Sequence, residues 1–133
     1  MMAARVRYGI RKAFTFEAAH QLTGGVPMSS PCRRKHGHSF RVEVRATALA
    51  LDDHGVLLDF DIIEKVRAQL DHQDLNEVMG GVNPTAENIA RFVLEALTLI
   101  TLQIGAQDEV KVERVRVWET KDAMAEIVVT YDV

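Results

Sequence analysis

Apolar and polar residues alternate along the chain from residue 5 to residue 20. Val6, Tyr8, Ile10, Phe14, Phe16 and Ala18 share one parity, while Arg5, Arg7, Arg11, Thr15 and Glu17 share the other. Side chains two apart on a strand point to the same face, so the stretch predicts a strand with one buried side. Lys12 interrupts the apolar parity, and His20 closes it. Gly24-Gly25, Pro27, Ser29-Ser30 and Pro31 predict a loop over residues 21–35. A second strand runs from His36 to about Leu51. Phe40, Val42, Val44, Ala46, Ala48 and Ala50 alternate there with Ser39, Arg41, Glu43, Arg45 and Thr47, and His36 and His38 extend the apolar parity. Asp52-Asp53-His54-Gly55 then reads as a turn, with His54 a polar turn residue.

The period changes after Asp59, which is placed to cap a helix over residues 60–70. Phe60, Ile63, Val66, Arg67 and Leu70 lie near one face of it, with Ile62 beside them. Gly80-Gly81 and Asn83-Pro84 break the chain, and Thr85 caps a second helix with Glu87 in its first turn. Ile89, Phe92, Val93, Ala96, Leu97 and Ile100 give that helix its apolar stripe, and Gly105 is its expected stop. A third strand covers 109–119. Val110 and Val112 have one parity and Val115 and Val117 the other, so a bulge is expected near Glu113 or Arg114. Glu119 continues the second parity. After a turn at Lys121-Asp122, Met124 to Tyr131 makes a fourth strand. The order β-β-α-α-β-β predicts an α+β fold, an antiparallel sheet with helices packed on one face.

The length of 133 residues fits one domain, 1–133, with a substantial core. Apolar residues make up 47% and charged residues 26%, as in ordinary soluble proteins. A net charge of -3 gives no sign of a nucleic-acid partner. The single cysteine rules out an intrachain disulfide and suits a reducing compartment. The first residues lack the apolar core of a signal peptide, and the longest uncharged apolar-leaning run, 96–107, is too short to span a bilayer. A cytoplasmic protein without membrane association is the expectation.

His20, His36 and His38 carry the strongest chemical signal. His36 and His38 are two apart on a strand and so face one point, and His20 would come from the neighbouring strand. Imidazole is a common zinc ligand, and a catalytic zinc takes three protein ligands with a fourth position open. Cys32 lies just upstream. It is either a free thiol beside such a site or the fourth ligand of a closed His3Cys structural site. Asp71-His72, Glu87 and Glu119 each also fit an ordinary polar role: a helix end, a helix dipole and a strand end.

Taken together, the motifs resemble a known family. Phe16-Glu17-Ala18-Ala19-His20, Cys32-x3-His36-Gly37-His38, Leu58-Asp59-Phe60, Leu70-Asp71-His72-x2-Leu75-Asn76, Asn83-Pro84-Thr85-x-Glu87-Asn88 and Val117-x-Glu119-Thr120 are similar to those of the 6-pyruvoyl- and 6-carboxy-tetrahydropterin synthases. The resemblance implies a tunnelling fold (T-fold), with a four-stranded antiparallel sheet and two helices per subunit. Subunits would assemble into a barrel, usually a homohexamer with active sites between subunits. It implies Zn2+ on His20, His36 and His38, and a pterin substrate, 7,8-dihydroneopterin triphosphate. Cys32 would act as general base, and His72, oriented by Asp71, as the partner acid/base. Glu119 would receive the amino-pyrimidine edge of the pterin, with Glu87 and Thr85 nearby. Charge assigns Arg33, Arg34 and Lys35 to the triphosphate. The short Cys-x3-His-x-His spacing resembles the carboxy branch, which serves queuosine and deazapurine synthesis and releases acetaldehyde and triphosphate. The alternatives are the pyruvoyl branch, which eliminates triphosphate, and a non-catalytic zinc- or pterin-binding protein. Lys35, Ala86 and Trp118 depart from the family's usual residues.

Overall fold

The computed structural model describes residues 4–103 and 110–131. Strand β1 (Tyr8–His20) and strand β2 (His36–Ala48) form an antiparallel ladder from Tyr8 opposite Ala48 to His20 opposite His36. Both strands are shorter than their alternating patterns. Once β2 ends at Ala48, residues 5–7 have no partner on that side to extend the ladder. Lys12 sits opposite Val44 on the buried parity. Its ammonium escapes burial by reaching over the Phe60 ring, 5.7 Å from the centroid.

Helix α1 (Phe60–Leu70) starts where Asp59 accepts a hydrogen bond from the Asp61 amide at 2.9 Å. Two elements follow that the alternation did not predict. They are a two-residue strand β3 (Gln73–Asp74) and a one-turn helix α2 (Leu75–Val78). Helix α3 (Ala86–Gln103) is capped by Thr85, whose hydroxyl accepts from the Asn88 amide at 3.1 Å. Its expected stop at Gly105 lies outside the described residues. Strands β4 (Lys111–Thr120) and β5 (Ala123–Val128) complete the sheet, in the order β3-β1-β2-β4-β5.

Among the described residues the sheet has five strands rather than the expected four, and there are three α-helices rather than two. It is also not wholly antiparallel, because β3 pairs parallel to β1 through Ala18–Gln73 and Ala19–Asp74. A run as short as β3 carries no period for a sequence pattern to show. The expected bulge is present. Arg45 faces Arg114 but Ala46 faces Val112, leaving Glu113 as the extra residue, so Val112 and Val115 both turn inward. A second irregularity between Trp118 and Thr120 falls on Glu119.

One apolar core fills the space between the sheet and the helices. Phe14, Phe16, Phe40, Val42, Val115 and Val117 from the strands meet Ile63, Val66, Ile89 and Val93 from α1 and α3. Phe16 and Phe40 stack with centroids 4.9 Å apart. Truncating either to alanine costs about 3–5 kcal/mol. This core continues without a break into the histidines, since His20 lies edge-on to Phe40 at 5.3 Å. Among the described residues, no helix is long and apolar enough to cross a membrane.

Candidate metal centre and its surroundings

The β1–β2 register delivers the three histidines to one place. His20 ends β1 opposite His36, which begins β2, and His38 stands opposite Ala18. Their ring centroids are 4.6, 5.3 and 4.8 Å apart, and one ring nitrogen from each lies within 4.8 Å of the others. The rings are aimed by the backbone. His20 Nδ1 lies 2.7 Å from the Pro84 carbonyl, and His36 Nδ1 lies 2.7 Å from the Arg34 carbonyl. A carbonyl can only accept, so both Nδ1 atoms carry a proton, and Nε2 is the nitrogen left for a metal on each ring.

His20 is fully buried, and its Nε2 has no hydrogen-bond partner. Glu119 Oε1 lies 3.2 Å from that nitrogen, within ion-pair distance but without hydrogen-bond geometry. An unsatisfied buried acceptor costs about 1–3 kcal/mol. Burial pushes the His20 pKa below the ordinary imidazole value, against the opposing pull of the Pro84 carbonyl and Glu119. A neutral ring with a bare, buried Nε2 is what a metal ligand requires. Three clustered imidazoles, one of them of this kind, fit a borderline cation such as zinc.

Cys32 lies in a short 3-10 turn, Pro31–Arg33. The Ser30 hydroxyl accepts from its amide at 3.2 Å, and its carbonyl accepts from Leu22 N at 2.7 Å. The thiol is free and half-buried, and its sulfur is not one of the atoms clustered with the histidines. The closed His3Cys arrangement is therefore not the one this structure forms.

Asp71 and His72 are joined. Asp71 Oδ2 lies 2.9 Å from His72 Nδ1, and Oδ1 accepts from the Glu17 amide at 2.9 Å. Arg67 reaches Oδ2 at 3.3 Å while its Nε donates to the Thr15 carbonyl. The Glu17 amide, the His72 ring and Arg67 hold the Asp71 carboxyl below the usual carboxylate range. His72 adopts φ +59°, a left-handed backbone rare for a side chain with a Cβ, and its amide is tied to the Glu17 carbonyl. The ring is left exposed. His72 and His38 line one groove of about 600 Å³ with Glu17, Ser39, Lys35 and Asp74.

The other expected residues are spread around this centre. Glu119 touches His20. Thr85 follows Pro84 directly, but its hydroxyl is engaged in capping α3, and Glu87 is exposed in the first turn of that helix. Arg33 reaches the Val26 carbonyl at 3.4 Å, and Arg34 is exposed. Lys35 pairs with Asp74. Three residues that frame the site were given no part in it from the sequence. Asn76 clamps Gln21, accepting from its amide and donating to its carbonyl, both at 2.9 Å. Asn83 holds the Thr23 amide and the Gly24 carbonyl, and Pro84 supplies the carbonyl behind His20. Their place in the motifs Leu75-Asn76 and Asn83-Pro84 was the only signal.

The profile of the family described as "6-pyruvoyl tetrahydropterin synthase" matches residues 9–129. A 6-carboxy-5,6,7,8-tetrahydropterin synthase of Synechocystis sp. is 38% identical over 97 residues, covering 66% of this chain and 73% of that protein. A putative 6-carboxy-5,6,7,8-tetrahydropterin synthase of Archaeoglobus fulgidus is 35% identical over 117 residues, covering 85% and 89%. The solved structure of Caenorhabditis elegans 6-pyruvoyl tetrahydropterin synthase superposes with a TM-score of 0.75, covering 97% of this chain and 100% of the other. At 19% identity, that likeness speaks for the fold alone.

Proposed function

Because the chain belongs to the 6-pyruvoyl tetrahydropterin synthase family, whose enzymes are metal-dependent lyases acting on pterins, we propose that it is a zinc-dependent 6-carboxy-5,6,7,8-tetrahydropterin synthase. The substrates are 7,8-dihydroneopterin triphosphate and one water, and the products besides the pterin are acetaldehyde and triphosphate. The observation that carries the reading is the trio of His20, His36 and His38, two of them with Nδ1 held by a backbone carbonyl, together with an unligated thiol four residues before His36 and an Asp–His pair whose His72 shares a groove with His38.

His20, His36 and His38 hold the zinc. When bound, zinc supplies Lewis acidity that makes the substrate's side-chain hydroxyls and adjacent C–H bonds more acidic. Cys32, free of the metal, takes the proton from the side chain as thiolate. His72 returns or relays a proton through Nε2, since Nδ1 is committed to Asp71. General acid–base groups of this kind contribute about 10²–10⁴ in rate. Glu119 accepts the donor edge of the pterin, with Thr85 and Glu87 beside it. The triphosphate meets Arg33 and Arg34, while the charge of Lys35 is already matched by Asp74.

The carboxy product is favoured by the Cys32-x3-His36 spacing and by the names of the Synechocystis and Archaeoglobus relatives. Queuosine-type precursor synthesis in the cytoplasm is the matching physiological place. The working unit is a homohexamer with barrel-like closure of its sheets. Two open edges support this: among the described residues, β1 is paired on its outer side only at Ala18 and Ala19, and β5 pairs only with β4. Incubating zinc-loaded protein with dihydroneopterin triphosphate and analysing products by mass spectrometry tests the reading. Acetaldehyde with 6-carboxy-tetrahydropterin is the expected result. A 6-pyruvoyl product moves the protein to the sister reaction, and no triphosphate release leaves only a binding role.

A further inference from the structure

We propose that the Lys35–Asp74 ion pair is a strap that sets how the Cys32 segment stands against the His72 segment. Both residues are then positioning residues for the reaction. The inference rests on the roles given to Cys32 and His72 above.

Lys35 lies three residues after Cys32 and directly before His36, and Asp74 lies two residues after His72. Asp74 is fixed twice. Its backbone is held in β3 against Ala19, and its Oδ1 accepts from the Asn76 amide at 3.0 Å, capping α2. The second oxygen, Oδ2, meets Lys35 Nζ. The Asp74 side chain is 19% exposed and that of Lys35 56%, so the carboxylate is the anchor and the lysine the arm. Residues 31–35 are otherwise tied by hydrogen bonds to Leu22, Val26, Ser30 and His36 and among themselves. Among the described residues, no second hydrogen bond or ion pair links 31–35 to 71–78. Without the strap the turn keeps its fold and its link through the sheet but loses its direct polar tie to the His72 side of the groove. Exposed ion pairs contribute little to stability, whereas a catalytic group displaced by about 1 Å can cost 10²-fold in rate. Both residues line the groove that also holds His38 and His72. A lysine meant for phosphate would present an unmatched ammonium there, and Asp74 removes that charge.

The test compares zinc-loaded Lys35→Met, Asp74→Asn, the double variant and Lys35→Arg. Asparagine retains an oxygen for the α2 cap. Each single variant is expected to lower kcat about 10- to 100-fold while KM stays within about threefold. The double variant should be no worse than either single, and Lys35→Arg should recover most of the rate. Alkylation of Cys32 by iodoacetamide and amide exchange over residues 31–35 need no turnover. Both should change alike in the two single variants. Additive losses, or a raised KM in Lys35→Met alone, would assign Lys35 to the substrate and overturn the strap. If the wild type fails to turn over the pterin but the exchange changes appear, the strap stands and the proposed activity falls. If the wild type is active and the single variants match it in kcat and exchange, the strap alone falls.

Discussion

The His20 imidazole reaches 64 positions along the sequence to the Pro84 carbonyl, at 2.7 Å. That contact joins the end of β1 to the residue before the α3 cap, so the start of α3 is tied to the metal site although that helix supplies none of the clustered nitrogens. It also fixes the tautomer, leaving Nε2 bare inside the protein.

The first prediction concerns the ion itself. Purified protein should bind one zinc per chain, and chelation should lower Tm by on the order of 10 °C, because the folded state alone offers the assembled site. His36→Ala should weaken zinc binding by more than about 100-fold, since losing a mere hydrogen-bond partner behind a ligand already costs about 10–100-fold. Metal analysis and a competition titration check both. Unchanged zinc affinity in His36→Ala would disprove the three-histidine assignment.

Cys32→Ala separates the base from the ligand. The clustered nitrogens exclude the Cys32 sulfur, so zinc content and Tm should stay at wild-type values. Turnover should fall by about 10²–10⁴. Joint loss of zinc and stability would instead make the cysteine a structural ligand.

Much of this site is legible in the sequence because it is built on period two. His20, His36 and His38 fall on the same parity as Phe16, Phe40 and Val42, so their convergence follows from two strands pairing. The bulge at Glu113 is legible for the same reason, since Val112 and Val115 cannot both face inward without it. Contacts made by single backbone atoms leave no such trace. The Pro84 carbonyl behind His20 is invisible in a list of side chains. So is the left-handed backbone of His72, whose amide is held by the Glu17 carbonyl. Lys35 illustrates the same limit. Three consecutive basic residues suggest an anion site, and no pattern shows that the third has Asp74 as an ion-pair partner.

The Asp71–His72 pair makes a prediction about pH. The Asp71 carboxyl is held below its ordinary pKa, first by the Glu17 amide and then by His72 and Arg67. A depressed carboxylate binds fewer protons in the folded state, so its contribution is complete above the ordinary value of about 3.9. That contribution disappears as pH falls through the lowered folded value. The gap in stability between wild type and Asp71→Asn should therefore be constant near neutrality and close below about pH 4. Turnover of Asp71→Asn should be roughly 100-fold lower or worse, because the amide no longer fixes the His72 tautomer. Thermal melts across pH, with kcat measured in parallel, check both parts. A stability gap that widens in acid would refute the argument.

Asn76 clamps the residue that follows His20. Its Oδ1 accepts from the Gln21 amide and its Nδ2 donates to the Gln21 carbonyl. Asn76→Ala leaves both partly buried backbone groups unmatched and should cost about 1–3 kcal/mol in urea unfolding. Asn76→Asp is the sharper probe. It retains the acceptor for the amide but sets a carboxylate oxygen against the Gln21 carbonyl, so its cost should approach that of alanine despite the nearly identical shape. The backbone at Gln21 leads directly from His20, so loosening it should also weaken zinc binding by about 10-fold. Zinc titration of the two variants decides this. Destabilisation with wild-type zinc affinity would confine Asn76 to the fold, and weakened binding in both variants would make it part of the metal site.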